Sequence, residues 1–299
     1  MNRHTTSRTA ATAKTAFKQQ QLPAASRRKR RDRAQPAKLG EAASAAAASH
    51  DNSDTITIWP LTKLPGELWQ FAAICVTACI SLFILEFVAD EPVFAHFFPS
   101  PRGIVDTYWV LRFKAWWVAW ALVAYIVVPS LAMLFLPGKH FRDCNLGWRG
   151  FREHYWLYFG LYALVFPVIW LVSFTPDFYT YYPMYPYAGR SWFDLLVWEG
   201  LYAGQFVALE FFFRGFLVGG LSRYIGYFSI PAAVIPYMMI HFTKPWPEAL
   251  ASIVAGLVLG TLAWKTKSIW GGVCVHCAVA STMDFLALSH KGQLPWLHH

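Results

Sequence analysis

Charge is scarce in this chain. Only 14% of its 299 residues are Asp, Glu, Lys or Arg, against 56% apolar and 18% aromatic. A soluble domain carries roughly a quarter of its residues charged, so this composition excludes that class. Acids are scarcest near the start, where residues 1–50 hold 2 acids against 11 Lys and Arg, while residues 51–299 balance 15 with 15. Cysteine is sparse as well. Of the five, Cys274-x-x-Cys277 has no second close pair to complete a four-ligand zinc site, and all are read as small packing residues. No His-Glu-x-x-His, heptad run or internal repeat is present, which speaks against a zincin, a coiled coil and a repeat-built transporter. A cleavable signal-peptide pattern is also missing, since the first long apolar run begins only near Leu68.

What is there in abundance is apolar sequence in runs of about 20 residues, the length that crosses a bilayer as a helix. Seven such segments can be drawn, at about 68–89, 116–136, 155–175, 192–221, 228–243, 248–264 and 268–288. Those after Gly226 are short, and one of them is a candidate for a re-entrant or tilted piece. The expected fold is therefore all-α, a polytopic membrane helix bundle of about seven spans (six to eight) behind a disordered basic N-terminal tail. Its divisions are a tail over 1–60, N-terminal transmembrane helices over 61–191, a core over 192–288 and a C-terminal tail over 289–299. The block Arg27-Arg28-Lys29-Arg30-Arg31 is expected to lie along anionic lipid headgroups, with no nucleic-acid partner. Lys139, Arg142, Arg149 and Arg152 in one loop, and Lys265 and Lys267 in another, favour a cytosolic N-terminus by the positive-inside rule. Arg112 and Lys114 argue mildly against it.

Against that background four ionisable residues stand out. Glu210 and Arg214 are four apart in an otherwise apolar stretch, and His241 and His276 fall in two later apolar segments. An ionisable side chain at membrane depth is costly unless it pairs or faces a cavity, so the four form a candidate site. An ion pair that merely joins two helices is the plain alternative, because Glu at i and Arg at i+4 is the favourable helical order.

Leu209-Glu210-Phe211-Phe212-Phe213-Arg214-Gly215 resembles the Glu-Glu-x-x-x-Arg-Gly signature of the CAAX-processing and bacteriocin-processing intramembrane endopeptidases, the CAAX prenyl protease 2-like or ABI family. Tyr237-Met238-Met239-Ile240-His241 is similar to its second motif, and His276 to its third, a histidine followed four residues later by Asn. The likeness covers about residues 192 to 288. Two positions depart from it: Leu209 stands where the family has its first Glu, the residue thought to activate water, and Ala280 stands where it has Asn. Asp284, Glu248 and Glu199 are the acids that could compensate.

The resemblance implies an intramembrane endopeptidase, with no cofactor, that cuts a membrane-associated or lipidated peptide. Such hydrolysis needs a water, a base and oxyanion donors. On this reading Glu210 is the base, Arg214 orients it, and His241 and His276 hold the water and donate to developing charge. Zinc held by Glu210, His241 and His276 is the alternative chemistry. A family member that binds its membrane substrate, or confers immunity, without cutting is the alternative function.

Overall fold

The computed structural model describes residues 66–100, 107–138 and 140–297. The basic tail and its expected lipid contact lie outside the described residues. Within them the fold is helical, and the one β-type pairing is an isolated bridge between Leu146 and Ser268. In chain order the helices are α1 (Gly66–Phe87), α2 (Glu91–Phe97), α3 (Trp109–Leu122), α4 (Val128–Phe135), α5 (His140–Asp143), α6 (Trp148–Val172), α7 (Pro176–Tyr181), α8 (Trp192–Glu210), α9 (Gly220–Ile225), α10 (Ser229–Met239), α11 (Trp246–Thr266) and α12 (Trp270–His290). Two π-helical stretches splice neighbours into longer rods: Val123–Val127 joins α3 to α4, and Phe211–Gly219 joins α8 to α9.

Six stretches of the described residues are long and apolar enough to cross a membrane: Leu68–Phe87, Trp109–Phe135, Trp148–Val172, Trp192–Met239, Trp246–Thr266 and Trp270–Leu297. The seventh expected segment, 228–243, is the part that changes. Its helix, α10, has only 11 residues and contains Pro236. At about 1.5 Å per residue it is roughly 16 Å long, half the hydrocarbon layer. It follows a reversal at Gly226, whose φ of 56° suits glycine, and folds back against the π-helical stretch 211–219 and α11. By contrast, Trp192 to Ile225 runs without a break for about 50 Å.

The α8 helix starts where Ser191 accepts a hydrogen bond from the Asp194 amide, an N-cap with an acid in the first turn. From there the rod runs into the centre of the bundle. The stretch 192–239 is the most buried of the six, and every residue from Phe211 to Gly219 is buried. Phe212, Phe213, Phe216 and Leu217 form one apolar cluster with Ile74, Tyr125, Ile230, Tyr237 and Ile269, and Tyr125 from the other π-helical stretch stacks on Phe212 at 4.6 Å. On one side of the rod α12 packs between α8 and α6; on another α10 and α11 pack together. Most exposed large side chains, such as Leu134, Phe135, Leu164, Val168 and Leu171, lie on the outer helices, as a lipid-facing surface requires.

Candidate functional site

Glu210 closes α8, Arg214 lies one turn on in the π-helical stretch, and both are buried. The Arg214 Nη1 sits 3.2 Å from Glu210 Oε1. A second partner comes from α12, whose His276 places Nδ1 2.8 Å from the same oxygen. Both contacts are at ion-pair distance, yet neither is aligned as a hydrogen bond, and Glu210 Oε2 has no aligned partner at all. That oxygen fits a notch where α12 has no side chain: a Cβ on Gly272 would lie 2.2 Å from it. Gly272 thus lets the α12 backbone approach the carboxylate.

Tyr237, on α10, ties the remaining groups together. Its hydroxyl is 3.0 Å from His276 Nε2, its ring lies under the Arg214 guanidinium at 4.1 Å, and its carbonyl is 2.7 Å from His241 Nδ1. Cation–π attraction of this kind is strongest when desolvated, as here. A proton on His276 Nδ1 would face the carboxylate and leave Nε2 to accept from Tyr237, and a proton on His241 Nδ1 would be donated to the Tyr237 carbonyl. Phe206, one turn before Glu210, stacks on the His276 ring at 5.2 Å with an interplanar angle of 4°, fixing its plane. The Arg214 and Tyr237 side chains also border a void of about 10 Å³, roughly one water in size.

His241 differs from its expected setting. It sits in the turn after α10, where Lys244 N donates to its carbonyl, and not inside a span. A helix through His241 could not extend past Thr243, because Lys244 precedes Pro245, which disfavours a helical backbone there. Its imidazole is half-buried, and burial is the main cause that pushes its pKa down to about 4, with the Lys244 charge adding to the effect. It is therefore neutral near pH 7, with Nε2 free to accept.

The three supporting acids do not gather at Glu210. Asp284 lies two turns beyond His276 on α12 and accepts from Trp198 Nε1 at 2.6 Å. Glu199 accepts from Ser281 at 2.6 Å. Glu248 opens α11 and binds Lys244 and the Tyr182 hydroxyl. Each has found a local partner because the antiparallel pairing of α8 and α12 opposes 198 and 199 to 284 and 281, away from the level of Glu210. Among the described residues no three His, Cys, Asp or Glu side chains are gathered at metal-binding spacing, since His241 turns to the Tyr237 carbonyl while Glu210 and His276 face each other. The two departing positions are apolar and buried, Leu209 in the cluster around the π-helical stretch and Ala280 beside Trp198 and Tyr202.

Sequence reasoning named Tyr237 only as a motif aromatic and missed Phe206 and Gly272. The pair Gly271-Gly272 one turn before a membrane histidine was the available signal, since paired small residues allow helix backbones to approach.

Residues 191–282 match the family described as Type II CAAX prenyl endopeptidase Rce1-like. The match spans Glu210, Arg214, Tyr237, His241, Gly272 and His276. The resemblance to the CAAX prenyl protease 2-like family that the three motifs carry is thereby borne out over this segment. No curated protein and no solved structure matches the chain.

Proposed function

We propose that this integral, multi-pass membrane protein is an intramembrane endopeptidase that hydrolyses a peptide bond in a membrane-associated, prenylated or otherwise lipidated peptide, with Glu210 and His276 handling the proton. The observation that carries this reading is the 2.8 Å approach of His276 Nδ1 to Glu210 Oε1 inside a helical membrane bundle. A general base must meet water. Glu210 is fully buried, whereas the His276 side chain keeps 15% of its surface exposed. The arrangement supports a division of labour in which Glu210 holds the imidazole and stabilises its cation, while Nε2 takes the water proton, the logic of a carboxylate behind a catalytic histidine. The water oxygen then bonds the scissile carbonyl carbon. The proton on Nε2 passes to the amine nitrogen as the C–N bond breaks. Once the substrate displaces the Tyr237 hydroxyl from Nε2, that hydroxyl is the nearest donor for the oxyanion, and His241 Nε2 accepts from water or a substrate N–H. Arg214 offsets the Glu210 charge.

The site's position in the bundle fits a substrate presented from the basic side. Gly147 N donates to the Lys267 carbonyl at 2.8 Å, so the loop with Arg142, Arg149 and Arg152 and the loop with Lys265 and Lys267 share one end of the bundle. We take that end, and the N-terminus with it, to be cytosolic. His276 is six residues from the α12 start, about 9 Å below that end.

The test is cleavage of a farnesylated, internally quenched peptide ending Cys-aliphatic-aliphatic-X by the purified protein in liposomes. Glu210→Gln and His276→Ala should each lower the rate about 10²- to 10⁴-fold. A second reading has its own observation, the burial of apolar Leu209 and Ala280 where the family carries Glu and Asn. It suits a protein that holds a lipidated membrane peptide without cutting it. Peptide retention with no cleavage, equal in wild type and Glu210→Gln, would sink the endopeptidase reading and leave this one.

A further inference from the structure

The two halves of the proton pair sit on different rods, Glu210 and Arg214 on α8 and the π-helical stretch after it, His276 on α12. Something must hold those rods in register. The segment between α5 and α6 touches both. Asn145, buried and in the left-handed region with φ of 52°, donates its side-chain amide to the Arg214 carbonyl at 2.8 Å. The Asn145 carbonyl accepts from Ile269 N at 2.8 Å, at the entrance to α12. The flanks of the segment are pressed equally close on either side. A Cβ on Gly219 of the π-helical stretch would lie 2.0 Å from the Asp143 carbonyl oxygen, and one on Gly150 would lie 1.8 Å from that of Thr266. Backbone therefore meets backbone on both faces.

We propose that Asn145 is a positioning residue for the site: its amide holds the π-helical turn that presents Arg214, its carbonyl holds the start of the helix that presents His276, and this one residue thereby ties the two catalytic rods to each other. It lies outside the segment 191–282 that matches the family. A π-helical turn bonds less regularly than an α-helical one and is common at functional sites, so a side-chain donor on the Arg214 carbonyl fixes the residue whose guanidinium faces Glu210. The catalytic consequence rests on the endopeptidase reading, but the mechanical one does not.

Asn145→Gly separates the amide from the backbone, because glycine keeps the left-handed conformation without strain. Asn145→Asp keeps the shape and tolerates that backbone, but turns an acceptor toward the Arg214 carbonyl. Two readouts apply to each. In a chain whose Cys75, Cys79 and Cys277 are replaced, spin labels at exposed Cys274 on α12 and at Arg223→Cys on α9 report the distance between the rods. Cys144 remains, buried, its thiol pushed up to about 12 by burial and so unreactive. The second readout is kcat and KM on the farnesylated quenched peptide. With the melting temperature near wild type, Asn145→Gly should widen the distance distribution and lower kcat about 10- to 100-fold with KM within about twofold, the pattern of lost alignment. Should the glycine variant not fold, the aspartate variant carries both measurements. An unchanged distance distribution, or an unchanged kcat in a folded variant of an active enzyme, overturns the proposal. If the unsubstituted protein cleaves nothing, the endopeptidase reading fails by itself, and a widened distribution still upholds the clamp.

Discussion

Replacing Gly272 by alanine adds one methyl group against the Glu210 carboxylate. The new Cβ would sit 2.2 Å from Glu210 Oε2 and 2.7 Å from Cδ, where ordinary contact is 3.4–4 Å. Both partners are buried, so the carboxylate has to retreat by about 1 Å, and a misplacement of that size near a reacting group costs about 10²-fold in rate. Overpacking by one carbon should also cost about 1–3 kcal/mol of stability. The neighbour supplies the control. A Cβ on Gly271 would lie equally close, 2.2 Å from the Tyr158 ring, so that the same overpacking is directed first at Tyr158 and not at Glu210. Peptide cleavage in liposomes and thermal melting, run on both variants, separate the two effects. Both should melt lower by similar amounts, while only Gly272→Ala loses about 10²-fold in kcat. A folded Gly272→Ala enzyme with wild-type kcat would refute the cradle, as would equal rate losses in both variants.

Further outcomes follow from the same contacts. Leu209→Glu restores the family's first acid but places it in the apolar cluster around Phe212 and Phe213, where Leu209 is 4% exposed; an unpaired buried charge costs several kcal/mol, so melting should drop sharply with no gain in cleavage, and a gain would show that this position opens on the site. Arg214→Ala strands the Glu210 carboxylate and should cost about 3–5 kcal/mol, whereas the double change Glu210→Leu with Arg214→Leu should recover most of it in the same melting assay. For pH, His241 takes a proton near 6.5 when unfolded and near 4 when folded. Between these values the unfolded chain binds more protons, so His241 makes stability fall as pH drops from 6.5 toward 4 and contributes no slope above or below that window. His241→Gln should flatten that part of the stability–pH curve, and an unaltered slope would contradict the burial argument.

Much of this arrangement can be read without coordinates, and the limit of that reading is physical. The pairing of Glu210 with Arg214 follows from their spacing on a rod, and the cost of a lone histidine in an apolar segment is the reason to look for His276 beside them, where its Nδ1 lies 2.8 Å from Glu210 Oε1. His241 was drawn into a span because apolar composition continues through 228–243, but the helix ends at Met239 and the chain turns through His241 to Lys244. Asp284 and Glu199 were candidates by their angle around a helix, Glu199 about 16 Å along the axis, and Glu248 by a loop able to fold back over the site. Each of the three is satisfied at its own level, by Trp198, Ser281 or Lys244.

What stays hidden in the sequence is a matter of backbone against backbone. The change from α- to π-helical winding after Glu210 has no residue signature that periodicity can register, since every position from Phe211 to Gly219 is buried and no polar face marks the turn. Asn145 is equally mute, and Gly272 leaves only the trace of its pairing with Gly271, because their effect lies in how close a neighbouring rod can come. Yet these features decide whether two costly ionisable groups on separate helices become a pair. At the effective dielectric of a protein interior, Glu210 and His276 interact strongly only within a few ångströms, and the apolar side chains around them fix that distance only loosely. The glycine notch and the asparagine clamp fix it tightly. For that reason a site whose chemistry is announced by four ionisable residues depends as well on two uncharged ones.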